Sequence, residues 1–324
     1  MTDTMALLLL PRLRVQNANA ISGPLSWGFP APTAFTGFVH ALERRLRSDT
    51  DIEFGGVGIV CHRFEPQVFK PAGRRNQVFG LTRNPLIAGW KQFVDKSAAL
   101  VEEGRAHMEI SLAIEVLAEL DEDERDDLLE YLSDVVYTMR LAGGSILPDP
   151  RDDQRRKPRW IDWYETADDN RDAFLKLRRG LLPGFALVQR DDLLAERLAE
   201  MRQKNTSGDA LDALLDLCRL NFESRPFDPA TSGEVPWEIR SRPGWLVPIP
   251  VGFAALSDLY PPGEVLNARD ARTPLRFVES LYSLGQWISP HRLTDLEQLL
   301  WRTDADIEDG LYRCINRYAA HGIA

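Results

Sequence analysis

Between Glu102 and Leu117 the chain sets an apolar side chain at every second position: Met108, Ile110, Leu112, Ile114 and Val116 alternate with polar or small residues. A period of two fits a strand with one face against a core and fits no helix. A slip of one residue would turn that whole row to water, so the segment requires both partner strands and a cover. Residues 5–15 supply one partner, with Leu7, Leu9, Leu13 and Val15 alternating with Leu8, Leu10, Arg12 and Arg14. Pro11 cannot donate to a ladder, so this strand is expected to be interrupted or bulged there. Phe54 to Glu65 supplies another, with Val57, Ile59 and Cys61 on one face and Val60 and His62 on the other.

Two helices supply the cover. Thr33 to Arg47 carries Ala34, Phe35, Phe38, Val39, Leu42 and Leu46 as one stripe. Residues 121–140 carry Leu128, Leu129, Leu132, Val135, Val136 and Met139, and Asp121 to Glu124 crowd the first turn, where the helix dipole favours acids. Leu141 to Leu147, with Gly143-Gly144, reads as a turn into a short fourth strand. Residues 66–101 have no long period, and Gln67–Lys70 with Gln77–Leu81 predict a protruding hairpin. The order is β-α-β, an inserted hairpin, then β-α-β, the plan of ferredoxin-like and RRM-like domains. The fold class is therefore α+β. An RRM-like domain covers 1–148, with a thumb at about 66–101, and a mixed region covers 149–324.

In that second region 149–171 reads as a charged, Trp-rich linker, and Leu181–Val188 and Trp245–Val251 as strands. Helices are expected near 190–203, 208–220, Leu275–Trp287 and Thr294–Trp301. A Pro- and Glu-containing loop fits 223–236. No segment approaches the roughly 20 apolar residues of a membrane span, and the Met5–Leu10 run stops too early for a signal peptide. Three unpaired Cys, at 61, 218 and 314, exclude a disulfide scaffold and fit a reducing cytoplasm.

The net charge of −10 argues at first against nucleic acid, but its distribution is uneven. Residues 1–119 carry a net +1, and 60–105 hold eight basic residues against four acidic ones. Binding follows the local field, so the strip containing Arg63, Arg74, Arg75, Arg83 and Arg105 suits an anionic ligand. An uneven solvated surface has the same composition. Residues 16–24 read as a loop. Its Asn17, Asn19 and Ser22 offer amide and hydroxyl groups, and Trp27 and Phe29 offer flat rings, the two chemistries that hold splayed RNA bases. A packed loop with buried aromatics is the plainer reading of these residues. The RRM pattern of aromatics inside the strands is missing, so RNA is expected along the loops and hairpin rather than across the sheet. Gly144 could bring backbone close to a phosphate or simply permit a tight turn.

The P-loop, dinucleotide, zinc-protease and nucleophile-elbow spellings are absent. His62 and His107 lie on strands flanking the hairpin and could serve a nuclease as acid and base. Hydrogen-bonded sheet histidines are the plainer reading. The acidic run Asp121–Asp127 belongs to a solvated helix face, and no metal or other cofactor is expected.

Stretches in order along the chain resemble a known family. They are Leu8–Val39 (LLLPRLRVQNANAISGPLSWGFPAPTAFTGFV), Gly56–Glu65 (GVGIVCHRFE), Leu81–Leu86 (LTRNPL), Val101–Leu112 (VEEGRAHMEISL), Leu141–Pro148 (LAGGSILP), Leu181–Val188 (LLPGFALV), Pro243–Pro250 (PGWLVPIP), Asn267–Glu279 (NARDARTPLRFVE), Ile288–Arg292 (ISPHR) and Gly310–Arg313 (GLYR). They resemble the Csy-two family, the Cas-five-type branch of the RAMP superfamily in type I-F CRISPR systems. The resemblance implies a non-catalytic, cytoplasmic subunit of the Csy (Cascade) ribonucleoprotein of antiviral defence. Such a subunit caps the 5′ handle of the CRISPR RNA, pairs with the large Csy-one subunit, abuts a backbone Csy-three subunit and lies near the PAM end of target DNA. The candidate RNA contacts are the loop residues and basic strip named above, with Asn84, His107, Gly143, Gly144 and Ser145. A metal-independent CRISPR RNA endonuclease and a protein-only scaffold are the alternatives.

Overall fold

The computed structural model describes residues 4–47, 50–80, 82–85, 100–148, 153–164, 166–204, 207–224 and 235–321. It is an α+β protein built on one large antiparallel sheet. In chain order the first part contains β1 (Ala6–Asn19), β2 (Ile21–Gly23), β3 (Ser26–Trp27), α1 (Pro32–Leu46) and β4 (Phe54–Pro66). The insertion follows as two short ribbons, β5 (Val68–Phe69) with β6 (Val78–Phe79), and β7 (Thr82–Pro85) with β8 (Leu100–Glu103). The expected hairpin is thus a pair of ribbons, and 86–99 lie outside the described residues. Next come β9 (Arg105–Val116), α2 (Glu122–Tyr137), β10 (Arg140–Leu141) and β11 (Gly144–Leu147). The strands run β11-β1-β9-β4, each antiparallel to its neighbour.

One face of these strands meets both helices. Phe35, Phe38, Val39, Leu42 and Leu46 of α1 and Leu128, Leu132 and Val136 of α2 bury against the Met108–Val116 row. The start of α2 is set locally: Asp121 accepts from the Glu124 backbone while the Glu124 side chain accepts from Asp121 N–H, a capping box.

On β1 the apolar row is Leu8, Leu10, Leu13, Val15 and Ala18, while Leu7 and Leu9 face the opposite side. The simple alternation expected from 5 to 15 is therefore broken. Register shifts against β9 between Leu10 and Leu13, and again between Val15 and Ala18, each change the parity once. Arg12 and Asn17 take left-handed backbone there, with φ of 50° and 57°. These bulges also extend β1 through 16–19, where the sequence predicts a loop.

The second part holds a 3₁₀ turn (Gln154–Arg156), β12 (Arg159–Asp162), α3 (Ala167–Gly180), β13 (Phe185–Gln189), α4 (Asp191–Gln203), α5 (Ala210–Cys218), β14 (Phe222–Ser224) and β15 (Trp237–Ile239). Then follow β16 (Trp245–Ala255), β17 (Val278–Ile288), β18 (Leu300–Asp306), β19 (Leu311–Asn316) and a last turn of helix, α6 (Tyr318–His321). The 149–171 segment contributes structure: β12 pairs with β1, and α3 buries Phe174 and Leu177 against Leu7 and Leu9. Helices expected at 275–287 and 294–301 are instead strand β17 and a turn leading into β18. Leu284 faces one cluster and Leu281 and Trp287 another, so apolar residues fall on both faces of β17. A strand buried on both sides loses its period-two signature.

β13 and β18 both add to the edge of β4 away from β9, at Val60–Cys61 and at Val57–Gly58. The path β4-β13-β17-β16-β19-β18 thereby returns to β4 as a closed ring. Trp301 is fully buried inside it, its indole N–H donating to Leu187 O at 2.8 Å. No helix among the described residues is long and apolar enough to cross a membrane.

Candidate nucleic-acid interface

The face of β1, β4 and β9 away from α1 and α2 is covered by α3 only in part. Beyond that cover, β9 turns Glu109, His107 and Arg105 outward, opposite its apolar row, with the buried Ser111 next on the same face. β1 adds Arg12, Arg14 and Gln16, and β4 adds Arg63 and Glu65. Two adjoining depressions result, both lined by Gln16. One, of about 260 Å³, lies among Arg14, Arg63, Glu65, His107 and Glu109. The other, of about 330 Å³, lies among Asn17, Gln67, Glu103, Arg105, Arg140, Gly143 and Ser145.

Side-chain bonds tie this surface together. Asn17 N–H donates to His107 Nδ1 at 3.3 Å, Gln67 Nε2 donates to Asn17 Oδ1 at 2.7 Å, and Arg105 Nη1 donates to Asn17 O at 3.2 Å. The left-handed turn at Asn17 is what exposes that carbonyl and amide together. Arg105 also pairs with Glu103 at 2.6 Å, and Arg63 forms a two-pronged pair with Glu65. Glu109 accepts from Arg12 at 2.7 Å, with Arg156 at 3.4 Å. Partial burial pushes the Glu109 pKa up, but the Arg12 hydrogen bond and the Arg156 charge outweigh it and hold the carboxyl below its usual range.

Asn17, Arg105, His107, Gly143 and Ser145 meet at this surface, and Arg63 borders it. Arg74 and Arg75 are exposed in the β5–β6 turn beside Gly73, whose φ is 74°. Arg83 and Asn84 sit on β7, paired with Glu102 and Val101, and only their backbone is described. Other candidates are committed within the protein. The Asn19 amide closes on Ile21, bonding both its N–H and its carbonyl at 3.0 Å. Ser22 Oγ bonds Ser26 across the β2–β3 turn. Phe29 packs between Phe35, Phe64 and Trp287. A Cβ on Gly144 would lie 2.7 Å from Val15 Cγ1 and 2.8 Å from Ala18 N and Gln16 O, so this glycine serves the pairing of β11 with β1. Gly143 is the open one: its φ is 76°, and a Cβ there would meet nothing within 4 Å.

Arg14, Gln16, Gln67 and Arg140 also line this surface and belong to no motif in the sequence. Arg12, Arg14 and Gln16 alternate on β1, a signal hidden by reading 16–24 as a loop.

His62 and His107 do not face one another. His62 Nδ1 meets Pro183 O at 2.6 Å and Nε2 meets Ser111 Oγ at 2.7 Å. Ser111 and His107 are four residues apart on β9, about 13 Å along the strand. Burial, chiefly, lowers the His62 pKa, which keeps the ring neutral. Among the described residues no His, Cys, Asp and Glu side chains gather as a group able to hold a metal ion.

Comparison with known proteins returns a match, over residues 8–314, to the family described as CRISPR-associated protein (Cas_Csy2). A curated relative, CRISPR-associated protein Csy2 of Pseudomonas aeruginosa (strain UCBPP-PA14), is 50% identical, with all of this chain and 99% of the relative aligned.

Proposed function

The chain belongs to the Cas_Csy2 family of CRISPR-associated proteins, and from that membership we propose that it is an RNA-binding, non-catalytic subunit of the type I-F CRISPR interference complex. The family match across nearly the whole chain carries this reading. In it, the protein caps the 5′ handle of the CRISPR RNA in the cytoplasm, pairs with the large Csy-one subunit, abuts a Csy-three subunit and lies near the PAM end of target DNA.

The strand order β11-β1-β9-β4, with α1 joining β1 to β4 and α2 joining β9 to β11, supports an RRM-like body over 1–148. The ribbons at 66–101 correspond to its thumb, and 149–324 is the mixed region packed on it. The surface around Asn17, Arg105, His107 and Gly143 supports RNA contact through donors aimed outward from a rigid sheet. The separation of His62 from His107 supports a binding role over cleavage, since one scissile phosphate needs its acid and base within reach of the same bond.

The test is affinity for handle RNA, measured over a range of salt, with the chain bound to its large partner. Arg74→Ala with Arg75→Ala is expected to weaken all short RNAs and to flatten the salt dependence by roughly 0.7 log units per lost phosphate contact. Asn17→Ala is expected to reduce the preference for the authentic handle over a scrambled one. His62→Ala with His107→Ala is expected to leave guide length unchanged. No binding of RNA in any form of the complex would favour the protein-only scaffold, and uncut precursor in the histidine variant would favour the nuclease.

A further inference from the structure

Beside the polar surface lies a cleft of a different kind. It has a volume of about 730 Å³, and its walls include Trp27, Phe29, Phe64, Phe185, Trp245 and Trp287. The rings form a connected set: Phe29 meets Trp287 edge-on at 4.8 Å, Trp287 lies 6.2 Å from Trp245, and Trp245 lies 6.1 Å from Phe185. The inner rings are held by the core, but the lip is open. Trp245 is 60% exposed, Phe185 47% and Trp27 43%. Large rings so open at the lip of a concave site are costly to leave in water and point to a ligand that covers them.

The polar groups say which ligand. No Asp or Glu lines the cleft among the described residues, although the protein is acidic overall. Among the described residues the one charged side chain on its wall is Arg63, which pairs with Glu65 and also lines the depression containing Arg14 and His107. Cys61 and His62, on the same wall, are neutral: burial pushes the thiol up to about 12, and both imidazole nitrogens are already bonded. Aromatic walls with an arginine at the mouth and no carboxylate inside match a nucleotide, whose base stacks while its phosphate competes with the exposed Glu65 for Arg63. An aliphatic partner side chain would use neither the flat walls nor Arg63. The site is also formed in advance. Leu25 N–H donates to Tyr282 OH at 2.9 Å, and Trp27 rests 5.1 Å from Phe79 of the β5–β6 ribbon, so the lip is pinned to both β17 and the thumb.

We infer that this cleft receives an unstacked nucleobase of the RNA whose backbone lies along the adjoining Arg14–Arg63–His107 surface, with Trp245 and Phe185 as its stacking wall. The inference rests on the RNA-binding reading and adds where one base goes.

The experiment uses the chain in complex with its large partner and a set of handle RNAs, each with one abasic position. Trp245→Ala is expected to weaken the intact handle about tenfold, the size of one base–ring stack, while Trp245→Phe stays within about twofold of the parent. One abasic position should weaken the parent complex by a similar factor and should make it indifferent to Trp245→Ala. If the parent binds handle RNA but Trp245→Ala and Phe185→Ala bind every RNA equally well, the cleft holds no base, and the RNA-binding reading stands. If those variants lose the large subunit while keeping RNA affinity, the cleft is a protein-docking site and the inference is overturned. If the parent complex binds no RNA, the underlying reading fails and the inference falls with it.

Discussion

Replacing Arg302 with Met should reverse the pH dependence that one buried carboxylate imposes on this protein. Glu115 on β9 is fully buried, and its carboxylate accepts four hydrogen bonds. Two come from Arg302 on β18, at 2.8 and 3.0 Å, one from Gly56 N–H at 2.7 Å and one from Thr4 Oγ1 at 2.6 Å. Burial alone would raise the Glu115 pKa; these bonds and the Arg302 charge overcome it and lower the pKa instead. The stability contributed is therefore present above the unfolded value of about 4.3 and is lost as pH falls through the folded one. Arg302→Met leaves the carboxylate in place with no cation beside it. Removing one partner of a buried pair costs about 3–5 kcal/mol. With an unfolding entropy of about 2.1 cal/mol/K per residue, a chain of 324 residues should melt about 4–7 °C lower at pH 7. Burial is then opposed only by the Gly56 and Thr4 hydrogen bonds, so the folded pKa is expected to rise above the unfolded one and stability to decline as pH increases from about 4. Adding Glu115→Gln should recover part of the loss at pH 7, because the buried charge is gone. The assay is thermal melting followed by tryptophan fluorescence between about pH 4 and 8. An Arg302→Met protein that melts within about a degree of the parent at pH 7, or that weakens on acidification as the parent does, would overturn the role given to the Glu115–Arg302 pair.

Two further outcomes follow from packing. Gly144→Ala should cost about 1–3 kcal/mol through overpacking, because two of the atoms it would strike are backbone. Gly143→Ala meets open space and pays only for left-handed backbone, about 1–2 kcal/mol; a milder effect at Gly144 than at Gly143 in urea melts would contradict the packing account. The three thiols should resist alkylation in the folded protein. Burial pushes Cys61 up to about 12 and Cys218 up to about 11, and also raises Cys314, so iodoacetamide at pH 8 should label them only after unfolding in urea. Rapid labelling of the native protein would contradict the burial of these side chains.

The site divides along the same line as the fold. Asn17, Arg105, His107, Gly143 and Ser145 are identifiable from residue type and position, and they meet at one surface. Asn19, Ser22, Phe29 and Gly144 are of the same types but serve the protein's own turns and core. Gln67 and Arg140 carried no local mark, since they reach Asn17 and Gly143 only through a strand crossing and a turn. Residue type says what a side chain can bond, and the fold decides whether that capacity is already used.

Local order was set by sequence alone. The Met108–Val116 alternation, the Phe35–Leu46 stripe and the Asp121–Glu124 cap each depend on residues a few positions apart, and each forms as its spacing requires. Tertiary structure decided the rest. The bulges that change the facing of β1 answer to the register of β9. The helical spacing of 275–287 gives way to a strand because β17 is covered on both faces and lies between β13 and β16. The ring closes because β4 offers its free edge to both β13 and β18, segments more than 100 residues away in the chain. Periodicity records which side of a segment is apolar; it holds no record of which distant segment will cover it, and that choice belongs to the packing of the whole chain.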